Sequence, residues 1–180
     1  MASSTSVQIA QIFGITTSAC LSGLIASFSY VAVPAIQMSP IEHQVQQWKR
    51  AYDIGAGTAP FIAIGSAACF GFLSYASRTL PGLGYAVAGI DVSSPSVLYG
   101  VAAVLIPAIA PYTILVMAPQ VNDELKGYAK AAEQGKKGKE VGISEAELGR
   151  KMEQWKWMNY NRAFMVGVGS LLGAVATIAL

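Results

Sequence analysis

Four long apolar stretches dominate this sequence: about Ile12 to Ile36, Gly55 to Ser77, Val97 to Ala118, and Asn159 to Leu180. A helix that crosses a bilayer needs roughly 20 mostly apolar residues at about 1.5 Å rise each, and every stretch meets that length. Of the 180 residues 53% are hydrophobic and only 12% charged, too apolar for an ordinary soluble domain of this size. The expected fold is an all-α integral membrane protein: one domain over residues 1–180, a four-transmembrane-helix bundle running up-down-up-down. Met1 to Gln11 carry no Lys or Arg. A cleaved signal peptide would want a basic leader, so the first stretch is read as a retained helix.

The placement of positive charge orients the bundle. Lys49 and Arg50 follow the first stretch, and Arg78 alone lies between the second and third. The other nine basic residues, from Lys126 to Arg162, follow the third or lie at the start of the fourth. The positive-inside rule therefore puts the first and third connections in the cytosol and both termini on the non-cytosolic face. The later basic segment also carries most of the acids, so a nucleic-acid partner has no support. Cys20 and Cys69 sit inside apolar stretches without a CxxC or Cys/His cluster, and are expected to be small buried hydrophobes.

Local signals refine the helices. Ser39-Pro40 ends the first, near Tyr30 and Pro34. Trp48, Tyr52 and Gly55 recur at i, i+4, i+7, so the later part of the connector should run helically into the second stretch. Pro107 and Pro111 should kink the third. Tyr85 and Tyr99 read as interface-belt residues. The stretch from about 126 to 144 reads as a weak helix and then a solvated, mobile loop rich in Gly and Lys, without P-loop spacing. Ser144 and Glu147 have capping-box spacing, so a helix should begin near Glu145 and run unbroken into the fourth stretch.

In this arrangement the polar and aromatic residues gather on the cytosolic face. They are Tyr30; His43, Trp48, Tyr52 and Asp53; Thr113 and Asn122; and Trp155, Asn159 and Arg162. The last three again follow i, i+4, i+7 and could face the Trp48/Tyr52 stripe. Trp157 and Tyr160 fall on the lipid boundary. Each residue alone has a bland reading: belt aromatic, snorkelling arginine, interhelical amide, solvated histidine. Their coincidence on one face favours a site, because polar groups in a membrane segment are costly. His43 is the only side chain here that titrates near neutrality unperturbed. No GxGxxG follows a strand and no His/carboxylate cluster has ligand spacing, so nucleotide, flavin and metal sites are not expected.

The order Trp48-x3-Tyr52-x2-Gly55-x4-Pro60, Pro111-Tyr112-Thr113, Pro119-x2-Asn122-x2-Leu125 and Trp155-x3-Asn159-x2-Arg162 resembles the anthrone oxygenase family (domain of unknown function 1772), small four-helix membrane proteins of fungal aromatic polyketide biosynthesis. The resemblance covers nearly the whole chain, from Pro34 to Arg162. It implies oxidation of an anthrone to an anthraquinone by O2, without flavin, haem or obligatory metal; assistance by a metal ion is left open. It also implies membrane lipids around the protein and an endoplasmic reticulum or related endomembrane location with the active face cytosolic. A homo-oligomer is left open.

On that implication His43 is the candidate base, with Asp53 or Tyr52 as fallback. Arg162, Asn159 and Asn122 would stabilise the enolate oxygen. Trp48, Tyr52 and Trp155 would stack on the rings, near Thr113 and Tyr30. The competing classes are a tetraspan scaffold or small-molecule-binding protein and a small transporter. A transporter would place polar groups near the midplane, where Ala63 to Phe72 and Val166 to Val175 are bland.

Overall fold

A computed structural model of the protein describes residues 4–78, 86–87, 90–91 and 94–179. It is helical apart from one antiparallel pair of two-residue strands, β1 (Ala86–Val87) and β2 (Ile90–Asp91), in register Ala86 to Asp91. Four helical runs are long and apolar enough to cross a membrane: Thr5–Ile36, Ile41–Ser77, Pro95–Glu133 and Glu145–Ile178. Large apolar side chains such as Phe61, Ile64, Val104, Leu115, Phe164 and Ile178 face outward. An exterior of that kind suits lipid rather than water.

Prolines shape two of the runs. The first comprises α1 (Ser4–Ser27), a π-helical turn (Phe28–Ala32) and α2 (Val33–Ile36). Pro34 has no N–H to offer the Tyr30 carbonyl, and the chain widens to π geometry just before it. In the third run α4 (Pro95–Leu105) gives way to a turn over 106–108 at Pro107, where a kink was expected. After it come α5 (Ile109–Tyr112), a π-helical stretch (Thr113–Asn122) that contains Pro119, and α6 (Asp123–Glu133).

The second run, α3 (Ile41–Ser77), starts well ahead of its apolar stretch. The Pro40 carbonyl accepts the N–H groups of His43 and Gln44, and the Glu, Gln and Lys residues beyond are good helix formers. The fourth, α7 (Glu145–Ile178), begins where the capping box predicts: the Glu147 N–H donates to Ser144 Oγ at 3.3 Å.

The contacts cluster in two compact units, each drawing on all four runs. The first unit is Met1–Ser22, Ala59–Ile109 and Phe164–Leu180. Its helices are joined by hydroxyl hydrogen bonds. Thr17 and Ser66 are 2.8 Å apart, and the Ser74 and Ser96 hydroxyls each donate to the other's carbonyl at 2.8 Å. Tyr99, expected in the interface belt, is fully buried instead. Its hydroxyl accepts from Gln11 Nε2 at 3.2 Å and lies 2.8 Å from Thr177 Oγ1, which donates to the Gly173 carbonyl. With its hydroxyl satisfied inside, the ring needs no water. Tyr85 lies outside the described residues. The two cysteines are unlinked; Cys69 is half-buried, but Cys20 faces outward rather than being buried as expected.

The second unit is Gly23–Thr58 and Ala110–Ala163. Trp48, Met117, Val121, Leu125, Leu148, Met152 and Trp155 form its core. Residues 126–133 are helical and bury Ala129 and Ala132. Beyond them, Val141 and Ile143 are also buried, and the Gly138 N–H donates to a Glu42 carboxylate oxygen at 3.3 Å. The stretch expected to be solvated is thus anchored at these points by apolar burial and one tie to α3. Gly135, Gly138 and Gly142 have positive φ, which turns this connection back on itself.

Candidate functional site

Two helices supply facing stripes in the second unit. On α3, Trp48 and Tyr52 are one turn apart and their rings stack at 5.3 Å between centroids. On α7, Trp155 meets the edge of Trp48 at 5.9 Å in a T-shaped pair. One turn beyond Trp155, the buried Asn159 accepts a hydrogen bond on Oδ1 from Arg162 Nη1 at 2.9 Å. The i, i+4, i+7 spacing of these residues therefore produces one continuous wall rather than two unrelated faces.

The Arg162 bond also settles the orientation of the amide. Because the guanidinium can only donate, Oδ1 must face it and Nδ2 must point elsewhere. That Nδ2 is buried without a hydrogen-bond partner among the described residues. Arg162 Nε, both indole N–H groups of Trp48 and Trp155, and both Nδ2 and Oδ1 of Asn122 share that condition. Native proteins leave few such groups, since each costs about 1–3 kcal/mol. Here every one of them belongs to the second unit. The set is rich in donors, so it matches a ligand that presents acceptor oxygens.

Asn122 arrives from the third run, at the end of the π-helical stretch, between buried Val121 and Leu125. Lys126, one turn on, places Nζ 4.7 Å above the Tyr52 ring. Tyr52 and Tyr112 both pack against the core that contains Trp48 and Trp155. The Tyr112 hydroxyl accepts from Asn161 Nδ2 at 3.3 Å. Among the described residues no carboxylate lies within ion-pair distance of Arg162. The cation is thus held by an amide, with its charge left for a ligand.

The remaining residues singled out from the sequence fall outside this group. His43 is exposed on the first turn of α3, and Asp53 is exposed and paired with Lys49 at 2.6 Å. Tyr30 points outward at 61% exposure, and Thr113 is half-buried at the start of the π-helical stretch. Trp157 is exposed and its ring contacts Tyr160, as a pair at the lipid boundary would be. Tyr112, Asn161 and Lys126 were missed. Lys126 lies one helical turn from Asn122, a signal that was available; Tyr112 and Asn161 meet only through tertiary contact. Among the described residues no three His, Cys, Asp or Glu side chains gather to hold a metal ion.

Comparison with known proteins identifies the family of the chain. The sequence model of the anthrone oxygenase family matches residues 48–172, from the Trp48 stripe to beyond Arg162. The chain is 26% identical over 168 residues to "Anthrone oxygenase AgnL2" of Paecilomyces divaricatus, covering 92% of this chain and 93% of that protein. It is 27% identical over 175 residues to "Anthrone oxygenase tpcL" of Aspergillus fumigatus, covering 96% of both. It is 28% identical over 181 residues to "Anthrone oxygenase encC" of the same species, covering 93% of this chain and 92% of that protein. No solved structure matches the chain. With more than half its length matched, including both stripes, the chain is a member of the anthrone oxygenase family.

Proposed function

We propose that this integral membrane protein converts a polyketide anthrone to an anthraquinone with O2, using the residues around Arg162. The observation that carries this reading is the part-buried Arg162–Asn159 pair, whose Nε and Nδ2 donors, with the buried donors of Asn122, Trp48 and Trp155, have no partner among the described residues. An anthrone matches it in kind: a flat polycycle for the aromatic wall, and a carbonyl oxygen that becomes an oxyanion during reaction.

The chemistry needs little from the protein. Loss of a proton from the central CH2 gives a carbanion delocalised onto the carbonyl oxygen. Arg162, Asn159 and Asn122 stabilise that oxygen, more strongly in a buried setting than in water. The electron-rich ring system reduces O2 and couples with it to form a peroxide at the former CH2 carbon. The peroxide then loses water to leave the quinone. No flavin, haem or metal is required in this scheme. Of the three candidate bases Tyr52 is favoured: it stacks on Trp48 and packs against the core that contains Trp155, whereas His43 and Asp53 are exposed. In the positive-inside orientation this unit faces the cytosol, within an endoplasmic reticulum or related membrane.

Purified protein in detergent should consume O2 and form quinone with an anthrone such as emodin anthrone, one O2 per quinone, and should do neither under nitrogen. Metal content measured in the same sample should not track activity. Tyr52→Phe should lower kcat about a hundredfold, in the range that general acid–base catalysis supplies. His43→Ala should stay within about twofold of wild type. The reverse pattern would return the base to His43. Absence of anthrone-dependent O2 uptake would leave a scaffold role instead.

A further inference from the structure

Two phenols, Tyr52 and Tyr112, pack against the core that contains Trp48 and Trp155, and their surroundings differ. Tyr52 stacks on Trp48 with the Lys126 ammonium over its ring. Tyr112 comes from the third run, at the last residue of α5, just where the helix widens to π geometry. Its oxygen accepts a hydrogen bond from Asn161 Nδ2 at 3.3 Å, and its ring packs on the core that contains Trp48 and Trp155. Local widening of a helix to π geometry is frequent at functional sites. The one assigned hydrogen bond therefore uses the Tyr112 oxygen as acceptor, which leaves the O–H hydrogen to be offered away from Asn161.

We propose that Tyr112 is the general acid that completes the oxidation, delivering a proton to the departing oxygen of the peroxide. This rests on the anthrone oxygenase reading above. Loss of water from the peroxide requires two proton movements, and one base supplies only one of them. Tyr52 first passes the proton it took from the CH2 to the peroxide anion, giving the hydroperoxide. The last C–H bond at that carbon then breaks, its proton goes to the freed Tyr52 oxygen and its electron pair forms the C=O bond. The O–O bond breaks, and the distal oxygen leaves as hydroxide. Tyr112 gives it a proton, so that it departs as water. The Asn161 N–H stabilises the phenolate left behind. Transfer of the proton from Tyr52 back to Tyr112 resets the pair. Across the turnover CH2 becomes C=O and O2 supplies one oxygen to the ketone and one to water, so atoms and electrons balance.

The test separates the two halves of the reaction. Enzyme and anthrone are mixed anaerobically, oxygenated buffer is added, and O2 uptake, quinone absorbance and anthrone hydroperoxide are followed, the last by mass spectrometry of acid-quenched samples. Wild type should form quinone in step with O2 uptake. Tyr112→Phe should take up O2 within about threefold of the wild-type rate, form quinone at least about tenfold more slowly, and accumulate the hydroperoxide. Asn161→Ala changes only an exposed residue and should show the same lag, several-fold smaller. It carries the test if Tyr112→Phe loses its melting transition. Quinone formation that stays in step with O2 uptake in both variants, at any rate, would overturn the acid role. If wild type takes up no O2 with anthrone, the activity itself is refuted, a result distinct from an unshifted Tyr112 variant.

Discussion

Arg162→Ala is expected to reduce anthrone turnover by at least about a hundredfold while leaving the protein folded in detergent. Removing one oxyanion-stabilising donor costs about 10²–10³ in kcat, and Arg162 supplies a full charge as well. The substitution frees Asn159 Oδ1, which loses its 2.9 Å bond, so the amide can rotate and its donor is no longer aimed. Stability should not fall in parallel. A guanidinium with no carboxylate within ion-pair distance among the described residues has lost hydration without full compensation, and deleting such a charge relieves that cost. Arg162→Lys should recover only part of the rate: an ammonium is a point charge and cannot bind Asn159 while presenting a second donor at the Nε position. The measurements are kcat and the melting temperature of each variant side by side. An alanine variant with wild-type kcat would remove Arg162 from the mechanism.

The second large effect is on stability, in the other unit. Gly173→Ala would place a Cβ 2.3 Å from Phe70 Cε1 and 2.5 Å from Cζ, far inside van der Waals contact. Phe70 is fully buried and stacks on Tyr99 at 6.1 Å. Tyr99 in turn is tied to Thr177, which donates to the Gly173 carbonyl, so the ring cannot retreat without breaking that chain. Overpacking of this kind costs about 1–3 kcal/mol. Thermal unfolding in detergent should show the loss. Phe70→Leu removes both clashing atoms, so the double variant should be more stable than the sum of the two single losses predicts. Strict additivity would mean that the glycine serves something other than close approach to Phe70.

Much of this was legible in the chain. Apolar length identified the four runs, because a bilayer imposes a span on any helix that crosses it. The Ser144/Glu147 spacing located the start of α7, because capping is a local matter of one side chain and one N–H. The Trp48/Tyr52 and Trp155/Asn159/Arg162 stripes were visible as helical periodicity, and they do meet.

Where a side chain ends up is decided between helices, and the pattern along one helix does not carry it. Tyr99 looks like a belt residue by composition, since only the fold reveals that Gln11 and Thr177 satisfy its hydroxyl inside. Val141 and Ile143 sit in a lysine- and glycine-rich stretch whose average polarity hides two buried anchors. His43 is chemically attractive, yet its position on the first turn of α3 leaves it exposed.

The sequence by itself determined a membrane-spanning helical protein, its family and the two stripes, because hydrophobic length and helical period act within one segment. Tertiary structure alone decided which polar atoms are buried without partners among the described residues, that Tyr52 stacks on Trp48 and packs against the core that contains Trp155 while His43 is exposed, and that Tyr112 meets Asn161. Those facts depend on which side chains from different helices meet, and no spacing along one helix encodes that. Arg162 shows both levels at once. Periodicity put it on the Trp155/Asn159 face, but only packing gave it an amide partner and no carboxylate among the described residues.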